Sequence, residues 1–510
     1  MKKTTFFIFM LSSFTKLEAQ VTVSKESIKG TPLHYYLKSN GIYFENKTGV
    51  GGFYPNTDKF PCKSTIYTAG LWAYAETSST SGTYKATAAT VSKPKMSVTN
   101  RKGESEFTSG PINSNLPQAW AKIWKVEHDE IQKAVSSYHE EQPEKILQLK
   151  NIMNWPAYGN SYSEKINGFI PSQDLSAPFF DRDADGLYNP LKGDLPAPSD
   201  CSFLPIKFIT WSLSNDFQAP HNLSKADPLG IEVATTSFIY LENNNQESGL
   251  NPIFIRFDVV NRSNNQYQNF KLGQYIDFDL GNPSDDLLAY NSTFNSIVAY
   301  NGDENDEESS GGFGMYKPIH CILPLSPVTS LNNIIGIPDY TNLFLNSEKL
   351  NPSIPNLLVS KQSTDVQAFV LHHIGPFDKG QKTSLTFAHF AEVLAPKEPI
   401  TIPLFLAKAS SVLTSIQKSC EVLLVGDEVI RLFPNPTNSG LTISSDLPIQ
   451  HIEFLDFMGK IYPLDWHQQT STIDYKIDDL NAFLPNTGLY YAKIHCKNGQ
   501  IISKPFSFIK

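Results

Sequence analysis

The sequence predicts a mainly β, multidomain chain: a β-sandwich-rich central region with a few helices, followed by a small C-terminal β-sandwich. Three observations carry this. Short runs of alternating apolar and polar residues are cut by Pro, Asn and Gly turns at strand spacing. Aromatic residues make up 12% of the chain, with 33 Phe and 22 Tyr, while charged residues are only 18%, a bias towards pleated, half-buried surfaces. Gly 29 and Pro 34 supply the turns. At 510 residues the chain is too long for one core, and about 150 residues per domain gives roughly two to four domains. The charge balance, 42 − 51 = −9, leaves no basic surplus to neutralise phosphates. Nucleic acid is therefore not an expected partner.

Residues 1–19 read as a secretory signal peptide. Lys2 and Lys3 form a basic start, Phe6 to Phe14 an apolar run, and Ala19 a small residue before the cut. No later run is long and apolar enough for a transmembrane helix. Residues 20–200 form an N-terminal β-rich region with a helical insert. Leu33 to Phe44 alternates around a hairpin turn at Asn40-Gly41, and Ile66 to Tyr74 is a second strand candidate. Trp120, Ile123, Trp124, Val126, Ile131 and Val135 fall near helical spacing, with Asp129 and Glu130 suited to a helix start. A second short helix is expected over Pro143 to Met153, before a turn at Asn154 to Asn160. Residues 201–420 form a β-sandwich region with strands near 231–241, 252–261, 270–279, 364–374 and 383–393. It ends in an amphipathic helix whose apolar side is Leu404, Leu406, Val412, Leu413 and Ile416. Residues 421–428 are the expected linker.

Residues 429–510 carry the most specific signal. Pro434-Asn435-Pro436 is followed by Gly440 and Leu441-Thr442-Ile443. Asp456 to Lys460 then contains Gly459, and Gly488-Leu489-Tyr490 opens a late strand before the terminal Lys510. The spacing is that of a small Ig-like β-sandwich. This segment resembles the type A C-terminal sorting domain of the type IX secretion system, with Pro434, Asn435, Pro436, Gly440, Gly459, Gly488, Tyr490 and Lys510 as the matching positions. One extra residue separates Leu484 from Gly488, which lengthens a turn. The resemblance implies passage through the periplasm, recognition by the outer-membrane translocon, and removal of the tail by a sortase. The product is then released or held at the cell surface on lipopolysaccharide, in a Gram-negative bacterium of the Bacteroidetes kind. More loosely, Gly70-Leu71-Trp72, Trp155 to Asn160, Ala177-Pro178-Phe179 and Tyr275 to Asn282 occur in an order that resembles large secreted cargo proteins of the same system. No reaction comes with that likeness.

The best ligand-like motif is Asp181-Arg182-Asp183-Ala184-Asp185-Gly186. Calcium takes roughly six to eight hard oxygens, and alternating carboxylates around a glycine turn can converge on one ion. The expected calcium ligands are Asp181, Asp183, Asp185, the Leu187 carbonyl and Asn189. Lys192 stands where an EF-hand has its bidentate Glu, and Asp194 is the substitute. With Pro178 before and Pro190 after, the loop lacks EF-hand helices and resembles the free-standing calcium loops of extracellular bacterial proteins. Calcium would be structural, since clustered carboxylates repel without a cation. Asp277, Asp279 and Asp286, with Asp285, form a second candidate calcium site, and Asp303 to Glu308 reads as a solvated loop tip.

Zinc-helix, nucleophile-elbow and phosphate-loop signatures are missing. His372 and His373 on one strand point to opposite faces and make a poor metal pair. A Cys201/His221 catalytic pair is less favoured than a structural or disulfide-bonded cysteine, because exported chains form disulfides. Four cysteines, Cys62, Cys201, Cys321 and Cys420, remain once the tail is removed, and they permit three pairings. The expected function is a secreted or cell-surface protein with a structural or binding role and calcium-stabilised loops. The alternative is a secreted glycosidase-like hydrolase whose carboxylate pair would lie in an aromatic cleft.

Overall fold

Strand Tyr267–Phe278 is the centre of one large sheet, lying antiparallel between Thr68–Thr77 and Val366–Phe377. The computed structural model describes residues 23–30, 33–46, 51–77, 84–91, 103–182, 185–199, 201, 205–241, 250–291, 294, 296–325, 331–335, 357–359, 366–424, 430–445, 449–456, 460–463, 474–496 and 501–510. The signal-peptide segment, Asp183 and Gly459 lie outside these residues. The first sheet continues from Thr68–Thr77 through Ile42–Tyr43 and Leu33–Lys38 to Lys25–Gly30. The expected turn at Asn40-Gly41 joins two of these strands, with Gly41 at a φ of 78°. On Leu33–Lys38 burial alternates residue by residue, so Leu33, Tyr35 and Leu37 face the core, as a period of two requires.

The second sheet places Lys317–Pro324, Lys382–Leu394, Ile253–Asn261, Ile231–Tyr240 and Ile206–Asn215 side by side. Thr108–Ser109 and Trp124–Glu127 both pair with Ile206–Asn215. Strands from both sides of residue 200 therefore share both large sheets, and the regions 20–200 and 201–420 interleave. The main core lies between the sheets. Tyr35, Leu71, Phe270 and Ile276 from the first meet Val233, Ile255, Phe257 and Phe387 from the second. Each such side chain contributes about 1.5–3 kcal/mol by removal from water.

A helical layer covers the outer face of the second sheet. Trp211, Phe238, Phe254 and Phe390 pack there against Trp124, Trp155, Leu406 and Val412. The expected helix over Trp120 to Val135 is corrected. Only Pro117–Trp120 and His128–His139 are helical, and Trp124–Glu127 is a strand against Phe208 to Trp211. Trp124 and Val126 are buried alternately on that strand, so pairing with a neighbouring edge overrides the local helical spacing. Asp129 and Glu130 do fall in the first turn of His128–His139. The second helix is divided into Pro143–Ile146 and Lys150–Met153. Asn160, at the end of the expected turn, caps a further helix, Ser161–Asn167, by accepting from Tyr162 N and Ser163 N.

Helix Ile402–Leu424 runs four residues into the expected linker, and residues 425–429 lie outside the described residues. Its buried face is Ile402, Phe405, Leu406, Ala409, Val412 and Leu413. Leu404 is 68% exposed, because the stripe that meets the sheet passes through position 405 instead.

The C-terminal segment forms a three-stranded sheet, Ile430–Phe433, Leu441–Ser445 and Asp474–Ile477. Against it lies a four-stranded sheet of Ile461–Pro463, Ile449–Asp456, Gly488–Cys496 and Ile501–Phe508. Leu441, Ile443, Ile452, Phe454, Tyr490 and Phe506 fill the space between them. No helix among the described residues is long and apolar enough to cross a membrane.

Candidate functional site

A cleft of about 760 Å³ opens beside the helical layer, lined by Pro111, Trp120, Ile170, Asp174, Glu232 and Arg262 among others. The almost fully buried Trp120 stacks on Phe169 with ring centroids 3.6 Å apart behind an apolar side that includes Pro111, Ile170 and Pro171. Arg262 reaches Asp174 through Nη1 at 2.7 Å and Nη2 at 2.8 Å, and Glu232 through Nε at 2.7 Å. Hydrogen bonds from Arg262 hold the Asp174 carboxyl below its ordinary range. Both oxygens of Glu232 accept, Oε2 from Arg262 and Oε1 from Ile112 N at 2.8 Å. Sequence reasoning missed this group. No motif links its members, and Asp174 lies 88 positions from Arg262.

In the acidic loop, Asp181 Oδ2 accepts from Gly186 N at 2.8 Å, and Asp181 Oδ1 is buried without a hydrogen-bond partner. Asp185 Oδ1 accepts from Leu187 N at 2.8 Å, while its Oδ2 pairs with Lys192 Nζ at 2.7 Å. Asn189 Oδ1 accepts from Leu191 N at 3.1 Å. Asp194 is fully buried and serves the backbone: Oδ1 accepts from Arg182 N at 2.8 Å and Oδ2 from Asn189 N at 2.7 Å. Gly186 sits at a φ of 76°, the left-handed turn the motif calls for.

The second acidic group spans a strand, its end and the following loops. Asp277 is buried within its strand, Asp279 follows the strand end, and Asp286 accepts from Leu280 N at 3.0 Å. Asn282 instead draws Asp285 and Glu307 together, donating to them at 3.1 and 2.8 Å. Asp306, inside the run expected to be solvated, is fully buried and accepts from Asn282 N and Phe313 N. Burial raises Asp285 to about 7, with the Asp306 charge adding to it, and burial raises Asp306 to about 6. Among the described residues no group of three or more His, Cys, Asp or Glu is arranged to hold a metal ion.

His372 is buried and His373 half-buried, as opposite strand faces dictate. His320 and His389 are also fully buried, their rings 5.7 Å apart. Cys201 is disulfide-bonded, Cys62 and Cys321 are free, and Cys321 is buried. His221 is held by backbone carbonyls and a carboxylate. Its ring nitrogens meet Ala86 O at 2.9 Å and Asp216 O at 2.6 Å, with Glu106 3.5 Å away. Glu106 accepts from Ala88 N, Leu223 N and Ser224 N, and Asp216 from Leu229 N, Gly230 N and Ile231 N. These buried carboxylates tie loops to strands.

In the tail, Asn435 Oδ1 accepts from Ser507 N at 2.8 Å, joining the Pro-Asn-Pro turn to the last strand. Tyr490 donates to Asn486 O at 2.8 Å across the lengthened turn, and Lys510 Nζ to Pro485 O at 3.2 Å. Gly440 lies beside the last residues of Asp474–Ile477, where a Cβ would stand 3.1 Å from Ile477 O.

Residues 431–506 match the secretion system C-terminal sorting domain. Comparison with curated proteins gives no match. Among solved structures, a polysaccharide lyase shares 9% identity over 54% of this chain and 34% of its own, with a TM-score of 0.19. A protein described as a kojibiose phosphorylase from the human microbiome shares 8% identity over 71% of this chain and 31% of its own, with a TM-score of 0.13. The chain spans about a third of the length of either, and scores this low carry no argument about fold or activity. The tail makes the chain a cargo protein of the type IX secretion system, exported to the cell surface or beyond it.

Proposed function

We propose that the exported chain has a structural or binding role at the cell surface or outside the cell, with the Trp120–Arg262 cleft as its binding site. The observation that carries this is the Arg262 clamp. Glycoside hydrolysis needs one carboxyl that carries a proton to donate and a second that is ionised. Arg262 holds Asp174 ionised, and Glu232 has both oxygens accepting hydrogen bonds. Such a pair lacks the general acid, but an apolar side of Pro111, Ile170 and Pro171 with a fixed polar rim suits recognition. The acidic loop takes calcium as a structural ion. Support comes from the unpartnered Asp181 Oδ1 and the glycine turn, with Asp181, Asp183, Asp185, the Leu187 carbonyl, Asn189 and Asp194 as the donor set. Sortase removal of the tail and attachment to lipopolysaccharide complete the reading.

The test is incubation of the purified protein with a panel of polysaccharides, scoring binding and release of reducing ends separately. Binding without release, weakened by Asp174→Ala, is the expected result. Release that Asp174→Asn or Glu232→Gln abolishes would establish the hydrolase alternative.

A further inference from the structure

We infer that the acidic loop is the seat on which the protein holds its own sorting domain, with Arg182 as the latch. Arg182 lies inside the Asp-rich motif, and its side chain reaches Tyr138 and Ser507. Its backbone is fixed first, because Arg182 N donates to the fully buried Asp194. Its guanidinium then lies over the Tyr138 ring, 4.4 Å from the centroid. Gly193 makes room for this path. It sits at a φ of 94°, and a Cβ there would come within 2.7 Å of Arg182 Cδ and 3.2 Å of the Tyr138 ring. From that groove Nη2 donates to Ser507 Oγ at 2.8 Å, across 325 positions of sequence.

Ser507 is a telling recipient. Its own N–H donates to Asn435 of the Pro-Asn-Pro turn, and its carbonyl accepts from Thr437 N at 2.8 Å. The latch therefore bears on the residues that close the sorting domain. An apolar seam lies beside it. Ile131, Val135, Phe180 and Pro196 on the cargo face Leu489 and Tyr491 on strand Gly488–Cys496 across a cavity of about 70 Å³. Tyr491 is only 7% exposed, although its side chain points out of the tail's own core. Helix Ile402–Leu424 also touches strand Ile501–Phe508. An independently tethered domain would show few contacts beyond its linker. Here a charge-assisted hydrogen bond and an apolar seam both reach the tail, and the cation–π contact within the cargo holds the guanidinium that makes the first.

It follows that the export machinery meets a docked tail with its Leu489–Tyr491 face covered, and that cutting the linker does not by itself free it. The inference concerns Arg182 and the seam, and stands whether or not the loop takes a cation. The test introduces a specific protease site at residues 425–429 of the full chain. The chain is cut to completion, as read on a denaturing gel, and passed over a sizing column under reducing conditions, so that the Cys201 disulfide cannot join the pieces. The wild-type tail should co-elute with the cargo. Arg182→Ala should release at least tenfold more free tail. Ser507→Ala, which removes only the acceptor on the tail strand, should do so in part, with the cargo's circular dichroism unchanged. A wild-type tail that leaves on cutting overturns the seat, and co-elution undiminished in both variants overturns the latch.

Discussion

The guanidinium of Arg262 grips the carboxylate of Asp174 through two parallel hydrogen bonds, at 2.7 and 2.8 Å, while its Nε holds Glu232. The cluster joins the segment Gln173–Leu175 to the end of strand Ile253–Asn261, so it shapes the cleft and braces it. Arg262→Ala would leave Glu232, 7% exposed at its side chain, without its counter-charge. Breaking a buried ion pair costs about 3–5 kcal/mol, and Asp174 is exposed enough to place this case at about 3 kcal/mol. The expected outcome is a lower denaturation midpoint together with weaker polysaccharide binding. Arg262→Lys should recover only part of either, since an ammonium cannot reproduce the paired geometry. Unchanged stability in Arg262→Ala would show that the cluster does not brace the cleft.

Export follows from the tail. Removing residues 429–510 should leave the chain in the periplasm, since the translocon then has no sorting domain to read. Fractionation of cells producing the truncated chain checks this. Normal amounts at the surface or in the medium would end the assignment of the tail as the export signal.

What the sequence made legible is local. The tail was readable because its turns and strands lie within one short segment, with Pro434, Gly440, Gly488 and Tyr490 each marking a turn or strand start. Lys382–Leu394 and Ile231–Tyr240 were readable from alternation and length. Trp124 and Val126 suit a helix by spacing as well as one face of a strand, and only pairing with Trp211 and Ile209 decides. Asp306 sits in a run of charged residues that looks solvated until this one turns inward to accept from Asn282 N and Phe313 N. The cleft was illegible because Asp174, Glu232 and Arg262 meet only through the folded sheet and share no spacing rule. The Arg182–Ser507 contact was hidden for the same reason.

The acidic loop should respond to calcium. Asp181 Oδ2 accepts from Gly186 N while its Oδ1 is buried without a hydrogen-bond partner, and Asp185 Oδ2 pairs with Lys192 Nζ. A cation bound by the folded state alone adds RT ln(1 + [L]/Kd), on the order of 2–4 kcal/mol at about 100 to 1,000 times Kd. A chelator should therefore lower the Tm of the mature protein. Asp183→Ala with Asp185→Ala should lower it as well and remove most of the chelator effect. Identical wild-type melts with and without calcium, on protein that retains no metal, would reduce the loop to a hydrogen-bonded turn.

The buried histidines give the fold a pH dependence that one substitution can isolate. His389 is fully buried against Tyr43, Phe44 and His320, with neither ring nitrogen hydrogen-bonded. Burial depresses its pKa to about 3, well under the ordinary value near 6.5. Between those values the unfolded chain binds a proton that the folded chain does not, so His389 loses its neutral-pH contribution as acidity rises. By linkage the loss is about 2 kcal/mol on going from pH 7 to pH 5. Asp285 and Asp306 have the opposite sign. Their folded values, about 7 and about 6, lie above the unfolded one, so protonation favours the fold as pH falls. Buried His320 and His372 share the sign of His389, and Asp216 shares that of the two carboxyls, so the His389 contribution is read as a difference between two proteins that keep all the others. His389→Phe, which fits an aromatic neighbourhood, should make stability at pH 5 relative to pH 7 more favourable than wild type by about 2 kcal/mol. Urea unfolding of both proteins at the two pH values measures it, and equal pH differences in the two would mean that His389 does not remain neutral in the fold.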